Sequence, residues 1–288
     1  MKIHTPMKNS IKNILIPLNF SSSSESAVAT GIAMCKRHKA ALHLLHVTEG
    51  NSLVLPPGKN PRTLELFLLA QTDLLKDLER RAAQIQEEYG ISCFFHLATG
   101  SLYQAIATKT ADFHCDLILV EKKRRPALFT VQRSQSVYRL LKMIGRPVLT
   151  VPAGFRNFNF KNVLFSLLPS SSEAFSAGIA LPIIRKNNSN VTLYASVSPA
   201  KKQSETELAN QLTDLAQTLI SGEKAAEIEK EIEAGPNTVK KVMSQAEDKK
   251  TDLIVVPARI ADGLRSWFRN SDTRKILEES PYPVLAVL

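Results

Sequence analysis

Lys12-Asn13-Ile14-Leu15-Ile16 returns 149 residues later as Lys161-Asn162-Val163-Leu164-Phe165, and this return decides how the chain is read. A serine cluster follows each run, Ser21 to Ser24 and then Ser170 to Ser172. Asp116-Leu117-Ile118-Leu119-Val120 returns as Asp252-Leu253-Ile254-Val255-Val256, and Pro147-Val148-Leu149-Thr150-Val151 as Pro283-Val284-Leu285-Ala286-Val287. The last two returns share an offset of 136, so the second copy is 13 residues shorter in its middle. Self-similarity of this kind is the mark of a duplicated domain. The copies are 1–152 and 153–288, and the hinge is Pro152-Ala153-Gly154-Phe155-Arg156, whose composition suits a linker.

Within each copy, short apolar runs alternate with helical patterns. Residues 14–18 are a continuous apolar run, read as a strand buried on both faces. Ser22-x-x-Glu25 forms a capping box for a helix over 27–39. Strands at 41–47, 91–98, 116–120 and 147–151 follow, separated by helices at 63–89, 102–112 and 134–144. Strands alternating with helices imply right-handed parallel βαβ units. The expected fold is therefore α/β: two tandem Rossmann-like domains, each a five-stranded parallel sheet with helices on both faces. The run Glu227-Ile228-Glu229-Lys230-Glu231-Ile232-Glu233 contains strong helix formers but alternates with period two. The repeat decides for a strand, because it stands where 91–98 stands in the first copy. Its glutamates suit a sheet edge, where charge discourages further pairing.

Composition fits two ordinary cores: 288 residues, 44% hydrophobic and 22% charged, with 11 Gly and 15 Pro. There is no apolar run of membrane-spanning length. The first ten residues do not read as a secretory signal. Cys35, Cys93 and Cys115 are an odd number without a C-x-x-C pair, which fits a reducing cytoplasm. The net charge of +10 is lopsided: +9 falls on residues 1–152 and +1 on the remainder. A basic half attracts anions, although a solvated basic surface accounts for the same asymmetry.

In these runs each copy resembles a universal stress protein domain, and the whole resembles a tandem universal stress protein. The likeness rests on the strand runs, their order and their duplication over nearly the full chain. Many members of that family bind ATP through G-x2-G-x9-G-[S/T] after the fourth strand. Here the spacing is kept and the glycines are gone. The positions carry Glu121, Arg124, Ser134 and then Gln135 in the first copy, and Pro257, Ile260, Asn270 and then Ser271 in the second. Glu121 brings negative charge towards a phosphate, and Pro257 has no N–H to offer. The aspartate that ATP-binding members carry after the first strand is Asn19 in the first copy and Leu168 in the second. By this resemblance a remaining small-ligand site belongs to the first copy. Its candidates are Asn19, Ser21, Ser22, Val47, Lys122, Lys123, Arg124, Ser134 and Gln135. The last strands, 147–151 and 283–287, are expected to pair within the chain as a pseudo-dimer, with a further homodimer left open.

Lys122-Lys123-Arg124-Arg125 is the densest local charge. It reads either as a grip on an anion or as a solvated loop. His43 and His46 lie three apart on one strand, hence on opposite faces, and no metal site is expected. The serine runs lack the G-x-S-x-G elbow of hydrolases. Trp267-Phe268 reads as a packed anchor before the last helix. Three readings stand. The preferred one is a non-catalytic stress-response protein that binds a protein partner or a small anionic ligand and does not bind ATP in the family's usual way, with no cofactor expected. The second is an atypical adenine-nucleotide binder or weak ATPase in the first copy. The third is an adaptor for an acidic protein or nucleic acid, with nucleic acid the weaker form. No membrane partner is expected.

Overall fold

The computed structural model describes residues 10–18, 24–48, 61–122, 137–167, 177–197, 205–220, 227–234, 238–258 and 271–287. For 61, 63–68, 70, 71, 197, 205, 234 and 271 only the backbone is described. The first copy runs β1 (Asn13–Leu18), α1 (Glu25–His38), β2 (Ala41–Thr48), α2 (Pro61–Tyr89), β3 (Cys93–Thr99), α3 (Leu102–Asp112), β4 (Leu117–Lys122), α4 (Val137–Ile144) and β5 (Val148–Pro152). The second runs β6 (Asn162–Leu167), α5 (Ala180–Asn187), β7 (Asn190–Val197), α6 (Glu205–Ile220), β8 (Ile228–Ala234), α7 (Thr238–Asp248), β9 (Leu253–Pro257), α8 (Ser271–Glu279) and β10 (Val284–Val287). The α/β fold and its two parallel five-stranded halves stand as read from the sequence. The ambiguous glutamate run is a strand, and it lies at the sheet edge.

All ten strands form one sheet in the order β3-β2-β1-β4-β5-β10-β9-β6-β7-β8. Every neighbouring pair is parallel except β5 and β10, which run antiparallel with Thr150 opposite Val284 and Leu149 opposite Leu285. The central strands are apolar because both faces are covered. On one face α1, α2, α5 and α6 bury Ile32, Leu78, Ile183 and Leu212 against it. On the other, α3, α4, α7 and α8 bury Ile106, Leu141, Val242 and Ile276. Helix α1 lies so close to the sheet that a Cβ on Gly31 would stand 2.6 Å from Ile16 Cδ1. That contact accounts for a glycine in a helix interior, where it otherwise weakens the helix.

Two boundaries differ from the sequence reading. Helix α1 begins at Glu25, with Ser24 in the cap position and no side-chain capping bond. Glu25 therefore opens the helix instead of closing a capping box from its third position. Ser22 lies outside the described residues. Strand β4 continues through Glu121 and Lys122, paired with Val151 and Pro152 of β5. These two residues are thus sheet, not loop. Helix α4 is described from Val137, and its expected start at 134 lies outside the described residues.

Duplication is visible in backbone detail. Lys39 and Asn188, the C-caps of α1 and α5, are both left-handed, at φ 55° and 49°. His114 and Lys250 match in the same way, both at φ 48°. The aspartate that starts each Asp-Leu-Ile run has one task. Asp116 Oδ2 accepts from the N–H groups of Lys12 (2.6 Å) and Asn13 (3.0 Å). Asp252 Oδ2 accepts from those of Lys161 (2.8 Å) and Asn162 (2.9 Å). Each carboxylate fastens the start of its copy's first strand to the start of the fourth.

Asp116→Ala and Asp252→Ala are each expected to cost about 1–3 kcal/mol of unfolding free energy, since two main-chain donors lose a charged acceptor. Urea denaturation measures this, and unchanged midpoints in both variants would refute the role.

Candidate functional site

Open parallel sheets place ligands outside the carboxyl ends of their strands. In the first copy that edge holds the ends of β1 and β4 and the N-terminus of α1. The first turn of any helix leaves main-chain N–H groups without helical partners. Here the Glu121 carboxylate supplies the acceptor: Oε2 lies 3.1 Å from the Ala27 nitrogen, and the Ser26 N–H also donates to the carboxylate. Burial pushes the Glu121 carboxyl up, the two N–H groups hold it down, and Glu25 adds a smaller upward push. This contact explains why α1 needs no capping serine. It also brings an internal anion to the place where a phosphate would be sought.

Ser26 turns its hydroxyl the other way. Its Oγ accepts from the Gly154 N–H at 2.9 Å, and Gly154 stands at φ +81°. The linker is thereby tied to α1. Lys122 reaches across the seam between the copies. Its ammonium donates to the carbonyl oxygens of Ser280 and Leu277 at the end of α8, where the negative end of the helix dipole favours a cation. Val47, 8% exposed, packs in the core shared with α3 and α4.

Of the other sequence candidates, Asn19, Ser21, Ser22, Lys123, Arg124, Ser134 and Gln135 lie outside the described residues, as do Ile260, Asn270 and Trp267-Phe268. Pro257 ends β9 opposite Val287, and Ser271 opens α8. Among the predicted ligands, then, the structure places Lys122 on α8 and Val47 in a core.

The two copies differ most where polar groups meet. On β2 and β3, His43 Nδ1 lies 3.0 Å from His96 Nε2, and His43 Nε2 lies 3.3 Å from Asn13 Oδ1. Phe113 stacks on both imidazoles, at 5.0 and 4.1 Å. The matching positions of the second copy are Thr192, Glu229, Glu231 and Lys249 for His43, Phe94, His96 and Phe113. There Lys249 binds Glu229 at 2.7 Å and Glu231 at 2.6 Å, beside a cavity of about 190 Å³. At the opposite strand ends Leu45, Val47, Ala98 and Ala105 are replaced by Tyr194, Ser196, Glu233 and Lys241. Tyr194 donates to Glu233 Oε2 at 2.7 Å, and Lys241 meets Oε1 at 2.9 Å. Sequence reasoning missed these groupings, although the strand register with the 149 and 136 offsets contains them. Among the described residues no group of three or more His, Cys, Asp or Glu is placed to hold a metal. Burial raises the Cys35 and Cys93 thiols to about 12, which disfavours the thiolate form.

Comparison with known proteins places this geometry in a family. The universal stress protein family model matches residues 10–152 and again 160–287, and the chain belongs to that family. It is similar to the crystal structure of a universal stress protein from Archaeoglobus fulgidus, 14% identical over 97% of each chain, with a TM-score of 0.69. A functionally unknown protein from Pseudomonas aeruginosa PAO1 is 15% identical, with a TM-score of 0.61 over 97% of this chain and 93% of that one. The cytoplasmic domain of a prokaryotic cation chloride cotransporter is 12% identical, with a TM-score of 0.53 over 96% and 95%. At these identities the likeness shows the fold alone. No curated protein matches the sequence. Among the described residues no helix is long and apolar enough to cross a membrane.

Burial, joined by neighbouring cations, holds His38 and His96 down at about 4, and burial lowers His43 and His46 as well. A histidine harder to protonate when folded contributes stability above its unfolded pKa, and loses it as pH falls from about 6.5 towards about 4. Glu121 acts oppositely, because its raised carboxyl favours folding at low pH. Urea midpoints measured from about pH 7 down to about pH 5 should therefore fall less steeply in His38→Asn/His96→Gln. Identical slopes would refute the assignment.

Proposed function

We propose that the protein is a non-catalytic, cytoplasmic stress-response member of the family. In this reading it works by binding a partner or small ligand and does not take ATP through the family's glycine loop. The observation that supports this most is the Glu121 carboxylate on the N-terminal N–H groups of α1. A triphosphate approaching that helix end would meet a like charge and donors already in use. Lys122 is engaged by the carbonyls ending α8. In the second copy Pro257 has no N–H to donate. The high thiol pKa values of Cys35 and Cys93 argue in the same direction for catalysis.

A thermal-shift series on the full chain with ATP, ADP, AMP, cyclic nucleotides, phosphate and sulfate tests the reading. It predicts no nucleotide-specific shift at millimolar ligand. A specific rise lost in Asn19→Ala and kept in Leu168→Ala would overturn it, because a ligand bound only to the folded state stabilises that state. Glu121→Ala should itself cost about 0.5–2 kcal/mol, as removal of a helix cap does. Glu121→Gln, which keeps the acceptor, should cost much less. Equal losses in the two variants would refute the capping role.

A further inference from the structure

We propose that the linker and the C-terminal ends of α1 and α5 form one cationic surface that binds single-stranded nucleic acid through its phosphates. This rests on the reading of the protein as a partner-binding one and names the chemistry of the partner.

The surface is assembled from segments far apart in sequence. Helix α1 ends in Lys36, Arg37 and His38, and α5 ends with Arg185 and Lys186 in its last turn. The linker passes between them. Arg37 donates to the Phe158 carbonyl at 3.1 Å and to Asn159 Oδ1 at 2.9 Å. Lys161 donates to the Asn187 carbonyl at 2.7 Å. His38 feels the charges of both Arg37 and Lys186, which places the two helix ends in one field. Lys12 adjoins the end of α1, since its carbonyl accepts from the Ala41 N–H. Lys12, Lys36, Lys39, Arg156, Lys161, Arg185 and Lys186 are all exposed.

Three features set this surface apart from scattered basic residues. First, its cations outnumber the carboxylates that border it. Residues 26–48 and 153–172 contain no aspartate or glutamate. The bordering carboxylates are Asp116 and Asp252, both held by main-chain N–H groups, Asp252 also by the Asn157 amide at 2.6 Å, and Glu88 at the margin beside Tyr89. Second, it is duplicated. At the offset of 149, Lys12, Lys36 and Arg37 match Lys161, Arg185 and Lys186, whereas the glycine-loop positions carry unrelated residues in the two copies. Third, its charge exceeds what the helices require. A helix C-terminus carries about half a negative charge, so two ends account for roughly one of these cations. Lys39 and Arg156 stand outside the helices altogether.

Single-stranded nucleic acid fits better than the alternatives. Among the described residues this surface is made of helix ends and linker, not of a helix face that could lie in a groove. The large exposed apolar side chains among the described residues are Leu69, Phe94, Met143 and Ile220, none of which belongs to this surface. A flexible strand can lie across helix ends, with Lys and Arg on phosphates. The amide of Asn159, whose Oδ1 accepts from Arg37, and the half-buried ring of Phe158 lie on the same path. The sequence offered the contiguous 122–125 cluster as its basic feature. The fold builds a larger one from residues that are never more than two in a row.

The test is fluorescence anisotropy of a labelled oligothymidylate with the full chain over a range of salt. Wild type is expected to bind at low salt, with affinity falling as salt rises by a slope of about −0.7 per phosphate contacted. Lys36→Gln/Lys39→Gln/Arg156→Gln/Lys186→Gln should bind at least about tenfold more weakly and reduce that slope by about 3. Lys123→Gln/Arg124→Gln/Arg125→Gln should leave the slope unchanged. Should the quadruple variant melt early, Lys39→Gln/Arg156→Gln replaces it, with a slope change of about 1.4 expected. Absence of binding at low salt would overturn the proposal. So would equal losses in the two variant sets, or tight binding of polyglutamate with none of the oligonucleotide. The nucleotide thermal shifts above test the parent reading separately, and neither outcome decides the other.

Discussion

The antiparallel contact of β5 with β10 is the constraint on which the rest of the molecule depends. Parallel α/β domains normally leave an open sheet edge, and a bare edge invites pairing with another chain. Here each copy closes the other's edge. Val148, Leu149, Leu285 and Ala286 are wholly buried as a result, so two five-stranded sheets become one of ten. The hydroxyl of Thr150 donates to the Val284 carbonyl, and Lys122 ties β4 to the end of α8. Two outer edges remain. At β8 the glutamates are charged and held by Lys241 and Lys249, which guards against further addition of strands.

This seam also links the site to the fold. Strand β4 extends through Glu121 and Lys122 because β5 pairs with it over that length. A strand of that length brings the Glu121 carboxylate beneath the first turn of α1 and points the Lys122 ammonium at the second copy. Glu121 and Lys122 serve as structural parts, one accepting from the N-terminal N–H groups of α1 and the other donating to the carbonyls that end α8. The linker follows the same logic. Gly154 and Arg37 hold it along α1, and it carries cations to the place where the two copies' helix ends meet.

Much of the fold was legible in the sequence, because strand runs such as 14–18 and 117–120 are apolar on both faces and occur twice. Even the glutamate run of β8 was readable once its register in the repeat was known, against its local helix propensity. The site was less legible. The capping box at Ser22 looked sound locally, but α1 opens at Glu25, and the Ala27 N–H meets a carboxylate 94 positions away. Lys122 read as part of a basic loop, since nothing in the sequence says that β4 runs two residues further. The His43–His96 contact and the cationic surface are likewise products of register and tertiary approach. Spacing along one strand correctly separated His43 from His46, yet it says nothing about a neighbouring strand.

If the seam makes the two copies one cooperative body, they must unfold together. The most direct measurement is urea unfolding followed at once by the fluorescence of Trp267, the single tryptophan, which belongs to the second copy, and by far-ultraviolet circular dichroism, which reports both. The account predicts one transition with coincident midpoints by the two probes. Separate midpoints, with tryptophan reporting one copy while half of the helical signal persists, would contradict it.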